Sequence, residues 1–156
     1  MMIRLAVLAL AFTVMGPIAM SQAQSAKEYE EAKEIVWAKE QAIYKARSKT
    51  GLDYYIANSS PNYVGWPPGT PKPSPISQLK KNQESGLFRF PNSEKLDLYF
   101  DDFAMHGDTG VIYYNTHRTM LPDGTEVDQR YHTIHVWVKD TDSDWKLMGA
   151  MARQVQ

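Results

Sequence analysis

The feature that most constrains this chain is its C-terminal stretch, residues 95 to 155, which contains four segments rich in β-branched and aromatic residues. In the first segment Leu96, Leu98 and Phe100 alternate with polar residues and tyrosine, a period of two that is typical of a strand with one buried face. The segments are separated by short turn sequences, which join antiparallel neighbours. We therefore predict an antiparallel meander whose later strands are residues 111–120, 127–139 and 145–155.

A sheet of this size must cover one of its faces, and the residues upstream supply the helices that do so. The first helix is expected to begin at the capping box Ser25-Ala26-Lys27-Glu28 and to end near Thr50, with Gly51 as its left-handed terminal residue. Two shorter helices are predicted at residues 52–58 and 76 to about 83. The apolar stripe of the first helix comprises Tyr29, Ala32, Ile35, Val36, Ala42, Ile43 and Ala46, and we assign Glu30, Glu31, Lys33, Glu34, Lys39 and Glu40 to its solvent side.

Residues 59 to 75 contain six of the nine prolines, which predicts a stiff loop rather than a helix or a central strand. Tyr63 and Trp66 within this segment carry apolar area that must be buried. Two interpretations stay open: the loop forms a rim or lid over a cavity, or it plugs one end of the sheet.

The N-terminal residues 1–23 predict a secretory signal peptide, because Arg4 precedes an apolar run and Ser21-Gln22-Ala23 supplies the small residues of a cleavage site. The alternatives are a buried helix or a membrane anchor, but the apolar run is too short to span a bilayer by itself. We expect residues 24–156 to form one exported domain, periplasmic or secreted, with no membrane contact after processing.

Composition excludes several classes of function. The formal net charge is −1 and both signs are interspersed, which argues against a nucleic-acid partner. The chain has no cysteine and therefore no disulfide, thiol nucleophile or thiolate ligand. A length of 156 residues suits one hydrophobic core.

No motif predicts a cofactor. His132 and His135 are three residues apart on a predicted strand and point to opposite faces, so they do not form a zinc pair. The alternating Asp140, Asp142 and Asp144 resemble the start of a calcium loop, but glycine and glutamate are missing at its sixth and twelfth positions. There is also no glycine-rich phosphate loop. We expect neither a metal nor any other cofactor.

Polar side chains occur deep in the second and third strands of the meander, where they must meet partners, water or a ligand. The register across Pro122-Asp123-Gly124 decides which of them face inward, and a one-residue bulge there exchanges the faces. Both arrangements stay open at this point. The competing sets are Asn115 and His117 or Tyr114 and Arg118 on the second strand, and Arg130 and His132 or Tyr131, Thr133, His135 and Trp137 on the third.

From about residue 26 to 155 the chain resembles the nuclear transport factor 2-like superfamily, which includes ketosteroid isomerases and SnoaL-type polyketide cyclases. The resemblance rests on the long first helix and on the sequences at residues 51–55, 63–69, 130–139 and 145–148. It implies an α+β, cystatin-like cone: a curved antiparallel sheet of about four to six strands wrapped around a long N-terminal helix and two short helices. It also implies a pocket between the sheet and the helices, and a homodimer formed through the sheet.

The resemblance implies site residues as well. Relatives carry a polar residue just before the Val-Trp of the third strand, which makes His135 the expected catalytic and pocket-facing group. The carboxylate base, tyrosine and protonated acid of the isomerases have no match in these motifs. Met151 stands where relatives often carry a polar pocket residue. The ligand-binding residues expected are Tyr55, Tyr63, Trp66, His117, Arg130, Trp137 and Met151.

Three functions stay open at this stage. The leading hypothesis is an exported domain that binds a small apolar or aromatic molecule in a mainly apolar pocket. The alternatives are an isomerase- or cyclase-like enzyme that uses His135 or an aspartate in general acid/base catalysis, and a dimeric interaction module. The first two need a cavity with an inward polar group, whereas the third needs a large apolar outer surface.

Overall fold

The computed structural model describes residues 17–86 and 93–155. Residues 1–16 of the predicted signal peptide lie outside this range. Within the described part, no helix is both long and apolar enough to cross a membrane. The elements in chain order are α1 (Pro17–Thr50), α2 (Asp53–Ala57), β1 (Ser59–Trp66), β2 (Ser74–Pro75), α3 (Ile76–Glu84), β3 (Lys95–His106), β4 (Thr109–Met120), β5 (Glu126–Lys139) and β6 (Trp145–Val155).

The predicted α+β architecture is confirmed. All four strands of the meander are present, and each pairs with the next in antiparallel fashion from β3 to β6. The left-handed backbone that the tight turns require is supplied by Gly107, Gly124 and Ser143, which have φ angles of 54°, 89° and 65°. The three predicted helices are also present, and Gly51, with a φ of 61°, follows the last residue of α1 as expected.

The prediction of a loop throughout residues 59–75 is wrong, because Ser59–Trp66 forms strand β1. β1 pairs in parallel with the last strand, and the sheet of six strands therefore has the order β2-β1-β6-β5-β4-β3 and is mixed rather than wholly antiparallel. Proline is tolerated in β1 because the register is irregular between Ser59 and Val64, so Pro61 lies where the ladder is interrupted.

The predicted start of α1 also needs correction. The helix begins at Pro17 and runs through Ser25, so the capping box does not mark its first turn in the full chain. The C-terminal end is as predicted, and the Gly51 amide donates to the Arg47 carbonyl at 3.2 Å. If processing removes residues 1–23, Ser25 becomes the second residue of the mature chain, and the capping box then lies at the first turn of the helix.

The inner face of the sheet is now defined. Ile112, Tyr114 and Thr116 of β4 are buried, as are Thr133, His135 and Trp137 of β5. The α1 residues Ala32, Val36 and Ile43 belong to the same buried cluster, so this part of the apolar stripe lies on the inner face, whereas Ile35 is 46% exposed. Because side chains alternate along a strand, Asn115, His117, Arg130 and His132 lie on the outer face.

Candidate functional site

A cavity of about 560 Å³ lies between the helices and the inner face of the sheet. A volume of this size is typical of sites for small organic molecules. The wall is mainly apolar and aromatic. The side chains that line it include Ile43 and Tyr44 from α1, Leu52 and Tyr55 beside and within α2, Tyr63 from β1, Leu79 from α3, His135 from β5, and Ala150 and Ala152 from β6.

The floor of the cavity contains a histidine that is paired with a buried carboxylate. The His135 Nδ1 atom lies 2.8 Å from Glu40 Oε1, and both side chains are almost wholly buried. Their positions follow from the fold, because β5 turns His135 inward and the stripe of α1 carries Glu40 against the sheet. Since Nδ1 donates to a carboxylate oxygen, the neutral imidazole keeps its lone pair on Nε2.

Glu40 is stabilised by two further donors. The Trp137 indole Nε1 donates to Oε1 at 2.7 Å, and the Tyr114 hydroxyl donates to Oε2 at 3.0 Å. A carboxylate with no solvent exposure is tolerated only when charge-assisted hydrogen bonds replace its water. Tyr114 and Trp137 thus hold the Glu40 carboxylate in place. The carboxylate in turn fixes the orientation of the His135 ring.

Two buried tyrosines lie beside His135. The hydroxyl groups of Tyr55 and Tyr63 are 2.7 Å apart, and the Tyr55 ring meets the imidazole edge-on, with centroids 6.3 Å apart. Burial raises the pKa of Tyr55 well above its usual value and the pKa of Tyr63 to about 12. Both phenols are therefore neutral at physiological pH, and because one hydroxyl donates to the other, the pair has one O–H group left to donate to a third group.

Two arginines lie at another part of the wall. Arg47 of α1 and Arg118 of β4 each direct an Nη2 atom to Glu94 Oε1, at 3.0 and 2.9 Å. Both arginines also line an adjoining space of about 270 Å³, together with Tyr131 and Leu96. The site therefore has an imidazole–carboxylate pair and a guanidinium pair on one continuous surface.

The structure brings together five of the residues that the sequence predicts for the site. Tyr55, Tyr63, Trp66, His135 and Met151 all line the cavity. Trp66 and Met151 are cross-strand partners at its rim and are 47% and 49% exposed, whereas the other three are largely buried. The Trp66 indole donates to the Thr70 carbonyl at 2.9 Å, which fixes the chain that follows β1.

Three other residues that the sequence predicts as ligand contacts do not line this cavity. His117 and Arg130 are paired across β4 and β5 on the outer face, where both contact Asp128, and they do not reach this cavity. The reason is strand alternation: burial of Tyr114 on β4 turns His117 outward. Trp137 faces inward but is fully buried in the core, where it supports Glu40 from behind the floor.

Sequence reasoning missed Glu40 and Arg47, and it left open whether Tyr114 and Arg118 face inward. Glu40 was assigned to the solvent side of α1, and it has no solvent exposure. A signal was present, because Val36, Glu40 and Ile43 follow the four- and three-residue spacing of the apolar stripe. An acidic residue within such a stripe indicates a buried partner. In the part of the chain that the structure describes, no cluster of three or more histidine and acidic residues is arranged to bind a metal.

Comparison with known proteins identifies the fold. No protein-family model and no curated protein matches the chain. Solved structures do match it: a ketosteroid isomerase-like protein from Erwinia carotovora atroseptica is 15% identical with a TM-score of 0.63, over 79% of this chain and 95% of that one. An NTF2-like protein from Cytophaga hutchinsonii is 13% identical, with a TM-score of 0.60 over 79% and 98% of the two chains.

The hub of the S. rosetta CaMKII is 23% identical to this chain, with a TM-score of 0.63 over 78% of this chain and 95% of that one. These likenesses confirm the predicted nuclear transport factor 2-like fold. At this level of identity they establish the architecture, and the function must be argued from the site.

Proposed function

We propose that this protein binds a small, mainly apolar organic molecule in the cavity between the sheet and the helices. The observation that carries this proposal is the cavity itself, about 560 Å³ with a mainly apolar wall and the His135–Glu40 pair at its floor. Burial of apolar ligand surface supplies affinity, at about 25 cal/mol per Å². The few polar groups fix the orientation of the ligand.

The cavity wall is preorganised for ligand binding. Pro67 and Pro68 restrict the backbone at the rim, and the Tyr55–Tyr63 hydrogen bond holds two rings in place. A site built in this way loses little conformational entropy on binding, which favours affinity. The ketosteroid isomerase-like protein among the structural neighbours is consistent with a site for an apolar molecule.

A screen of apolar and aromatic small molecules by thermal shift tests this proposal. Ala150 of β6 lines the cavity and pairs with His135, so Ala150→Phe fills the cavity. We expect this variant to lose the shift that a compound gives with wild type. The matched control is Arg153→Phe, an exposed position on the same strand. If hits stabilise Ala150→Phe as much as wild type, this cavity is not the binding site.

A second candidate function, general acid/base catalysis, is favoured by the contact between Glu40 and His135. A neutral imidazole whose Nδ1–H is held by a carboxylate accepts a proton at Nε2, and the carboxylate stabilises the imidazolium that forms. A histidine–carboxylate pair of this kind is suited to abstracting a proton from a carbon next to a carbonyl group. The hydrogen-bonded pair of Tyr55 and Tyr63 has one O–H group left to donate to the developing oxyanion.

This candidate is tested with any ketone that the screen identifies, by NMR observation of α-proton exchange in D₂O. His135→Gln should stop the exchange while binding persists, and Glu40→Gln should slow it. If exchange in wild type is no faster than in buffer, the site binds without chemistry. Equal rates in wild type and His135→Gln would assign the base to another residue.

We further propose that the protein is exported, with the mature chain beginning at or near Gln24 in the periplasm or outside the cell. The sequence Ser21-Gln22-Ala23 supports this proposal. N-terminal sequencing of material recovered outside the cytoplasm tests it. Recovery of a chain that still contains residues 5–14 would contradict it.

We also propose that the protein forms a homodimer through the outer face of the sheet. The half-exposed side chains of Tyr99 and Met148 support this proposal, because apolar groups on an open sheet face commonly mark an interface. The hub domain among the structural neighbours is consistent with assembly. Sedimentation equilibrium of wild type and Tyr99→Lys tests it, and a monomeric wild type would overturn it.

A further inference from the structure

The charges on the cavity wall have one sign. Among the described residues that line its two parts, Arg47 and Arg118 carry charge, and there is no aspartate, glutamate or lysine. Guanidinium groups stay protonated at any physiological pH. The wall is therefore apolar with one positively charged region.

The nearby acid does not cancel this charge. Glu94, whose side chain is 6% exposed, accepts from both guanidinium groups through one oxygen atom. By themselves, Arg47, Arg118 and Glu94 carry two positive charges and one negative charge. Lys45 and Asp97 line a surface groove on the other side of Glu94 and offset each other. The excess of positive charge therefore lies on the cavity wall.

Arg118 has an unused donor in the same region. Its Nη2 atom binds Glu94 at 2.9 Å and its Nη1 atom donates to Gln129 Oε1 at 3.3 Å. Its Nε–H is buried and has no hydrogen-bond partner. A buried donor of a charged group is costly when unpaired, and because this atom has almost no exposed surface, a ligand reaches it only if the Arg118 side chain shifts.

From these contacts we propose that the ligand carries a carboxylate, which binds Arg118 and Arg47, and an apolar body that extends toward His135. This inference rests on the proposed binding function and deepens it by naming the class of ligand. A carboxylate matches the planar fork of a guanidinium group.

The spacing between Arg118 and His135 along the sheet determines the shape that we propose for this ligand. Arg118 lies opposite Gln129, which is on the same face of β5 as His135. Gln129 and His135 are six positions apart on β5, which corresponds to a backbone distance of about 20 Å. The long arginine side chain shortens the gap, and the ligand is an elongated molecule with its charge at one end.

Matched acids and amides test the proposal. The probes are a series of ω-phenylalkanoic acids of increasing chain length and the corresponding primary amides, with binding measured by calorimetry. We expect the best acid to bind wild type at least about tenfold more tightly than its amide, and high salt to reduce this preference. Arg118→Gln should abolish the preference, with a smaller loss of affinity for the amide than for the acid.

Three further variants sharpen the test. Arg118→Lys retains a positive charge beside Glu94 and should keep part of the preference, which guards against misfolding of the glutamine variant. Glu94→Gln removes the competing carboxylate and should increase the affinity for the acid. Arg130→Gln, on the outer face, is the matched control and should change nothing.

The outcomes separate this inference from the proposed function. If acid and amide bind wild type equally, the carboxylate site is wrong while binding in the cavity stands. If Arg118→Gln and Arg130→Gln reduce the preference by the same amount, the effect is one of general charge and the site is also wrong. If none of the acids or amides binds, both the inference and the proposed binding of such molecules are overturned.

Discussion

The indole of Trp137 and the carboxylate of Glu40 are joined by a hydrogen bond of 2.7 Å between two side chains that have no exposure to solvent. One residue comes from the middle of α1 and the other from β5, so this bond connects the helix layer to the sheet. The same carboxylate orients His135 at the cavity floor. Stability and site geometry therefore depend on one acidic side chain.

The first prediction concerns this carboxylate. Glu40→Ala leaves three buried donors without their acceptor and should lower the free energy of unfolding by about 3–5 kcal/mol. Glu40→Gln keeps the shape and should cost about 1–2 kcal/mol. Urea denaturation measures both. Glu34→Ala, an exposed change on the same helix, is the control, and equal stability of the two alanine variants would contradict the assignment.

The second prediction concerns Gly65, which packs against a cavity tyrosine. A Cβ atom at this position would collide with the Tyr63 hydroxyl group and ring. Gly65→Ala should lower the free energy of unfolding by about 1–3 kcal/mol and displace the phenol from Tyr55. The penalty should be smaller in a Tyr63→Phe background, because the nearest atom is absent there.

Gly149 provides the matched control for Gly65, because a Cβ atom there meets Val136 and Val64 at the ordinary contact distance of 3.7 Å. Gly149→Ala should change stability by less than about 1 kcal/mol. Denaturation curves in urea are the measurement. If both alanine variants have the same midpoint, Tyr63 does not occupy the space beside Gly65.

The third prediction concerns two tryptophans of different exposure. Trp145 is 3% exposed and lies in the core, whereas Trp66 is 47% exposed at the cavity rim. Trp145→Ala should lower the free energy of unfolding by about 3–5 kcal/mol. Trp66→Ala should cost only about 1 kcal/mol, mainly through its bond to Thr70. Equal denaturation midpoints would mean that the last strand is misplaced.

The fourth prediction is a dependence of stability on pH. Asp144 accepts from Lys39 and Lys146, each at 2.9 Å, and these bonds lower its pKa from 3.8 to about 2. A depressed acid pKa contributes stability that is complete above the unfolded value of 3.8 and is lost as the pH falls through about 2. Because the Asp144 side chain is 40% exposed, solvent screening keeps this contribution at about 0.5–1 kcal/mol.

Asp144→Asn should therefore be less stable than wild type by about 0.5–1 kcal/mol at neutral pH, and the difference should vanish below about pH 2. Urea denaturation of both proteins across the acid range is the measurement. Asp101→Asn, exposed on β3, is the control at neutral pH and should match wild type. A difference between Asp144→Asn and wild type that stays constant down to pH 2 would exclude the titration of Asp144 as its cause.

The parts of the fold that local patterns determine were predictable from sequence. The alternation of apolar and polar residues predicts β3, and segments rich in β-branched and aromatic residues between turn sequences predict β4, β5 and β6. The apolar stripe predicts α1. β1 was not predictable, because its prolines disfavour a strand and its stabilising partner, β6, is remote in sequence. A strand that depends on such a remote partner leaves no local signal.

The site was predictable only in outline. His135, Tyr55 and Tyr63 were expected and do line one cavity. The faces of β4 and β5 could not be assigned, since a shift of one residue exchanges His117 with Tyr114 and Arg118. The position of Glu40 within the spacing of the apolar stripe indicates burial, but its partners lie on β4 and β5 and cannot be identified from α1 alone.

The parallel pairing of β1 with β6 also has a consequence for the order of folding. Gly65 pairs with Ala150 and Trp66 with Met151, so β1 depends on a partner strand that is remote in sequence. The pairs from β3 to β6 join neighbours in sequence, and contacts of this kind form faster than contacts between remote segments. Tyr63 and Ala150 line the same cavity only after β1 has docked on β6. We therefore expect the cavity to be completed late in folding, after the meander has formed.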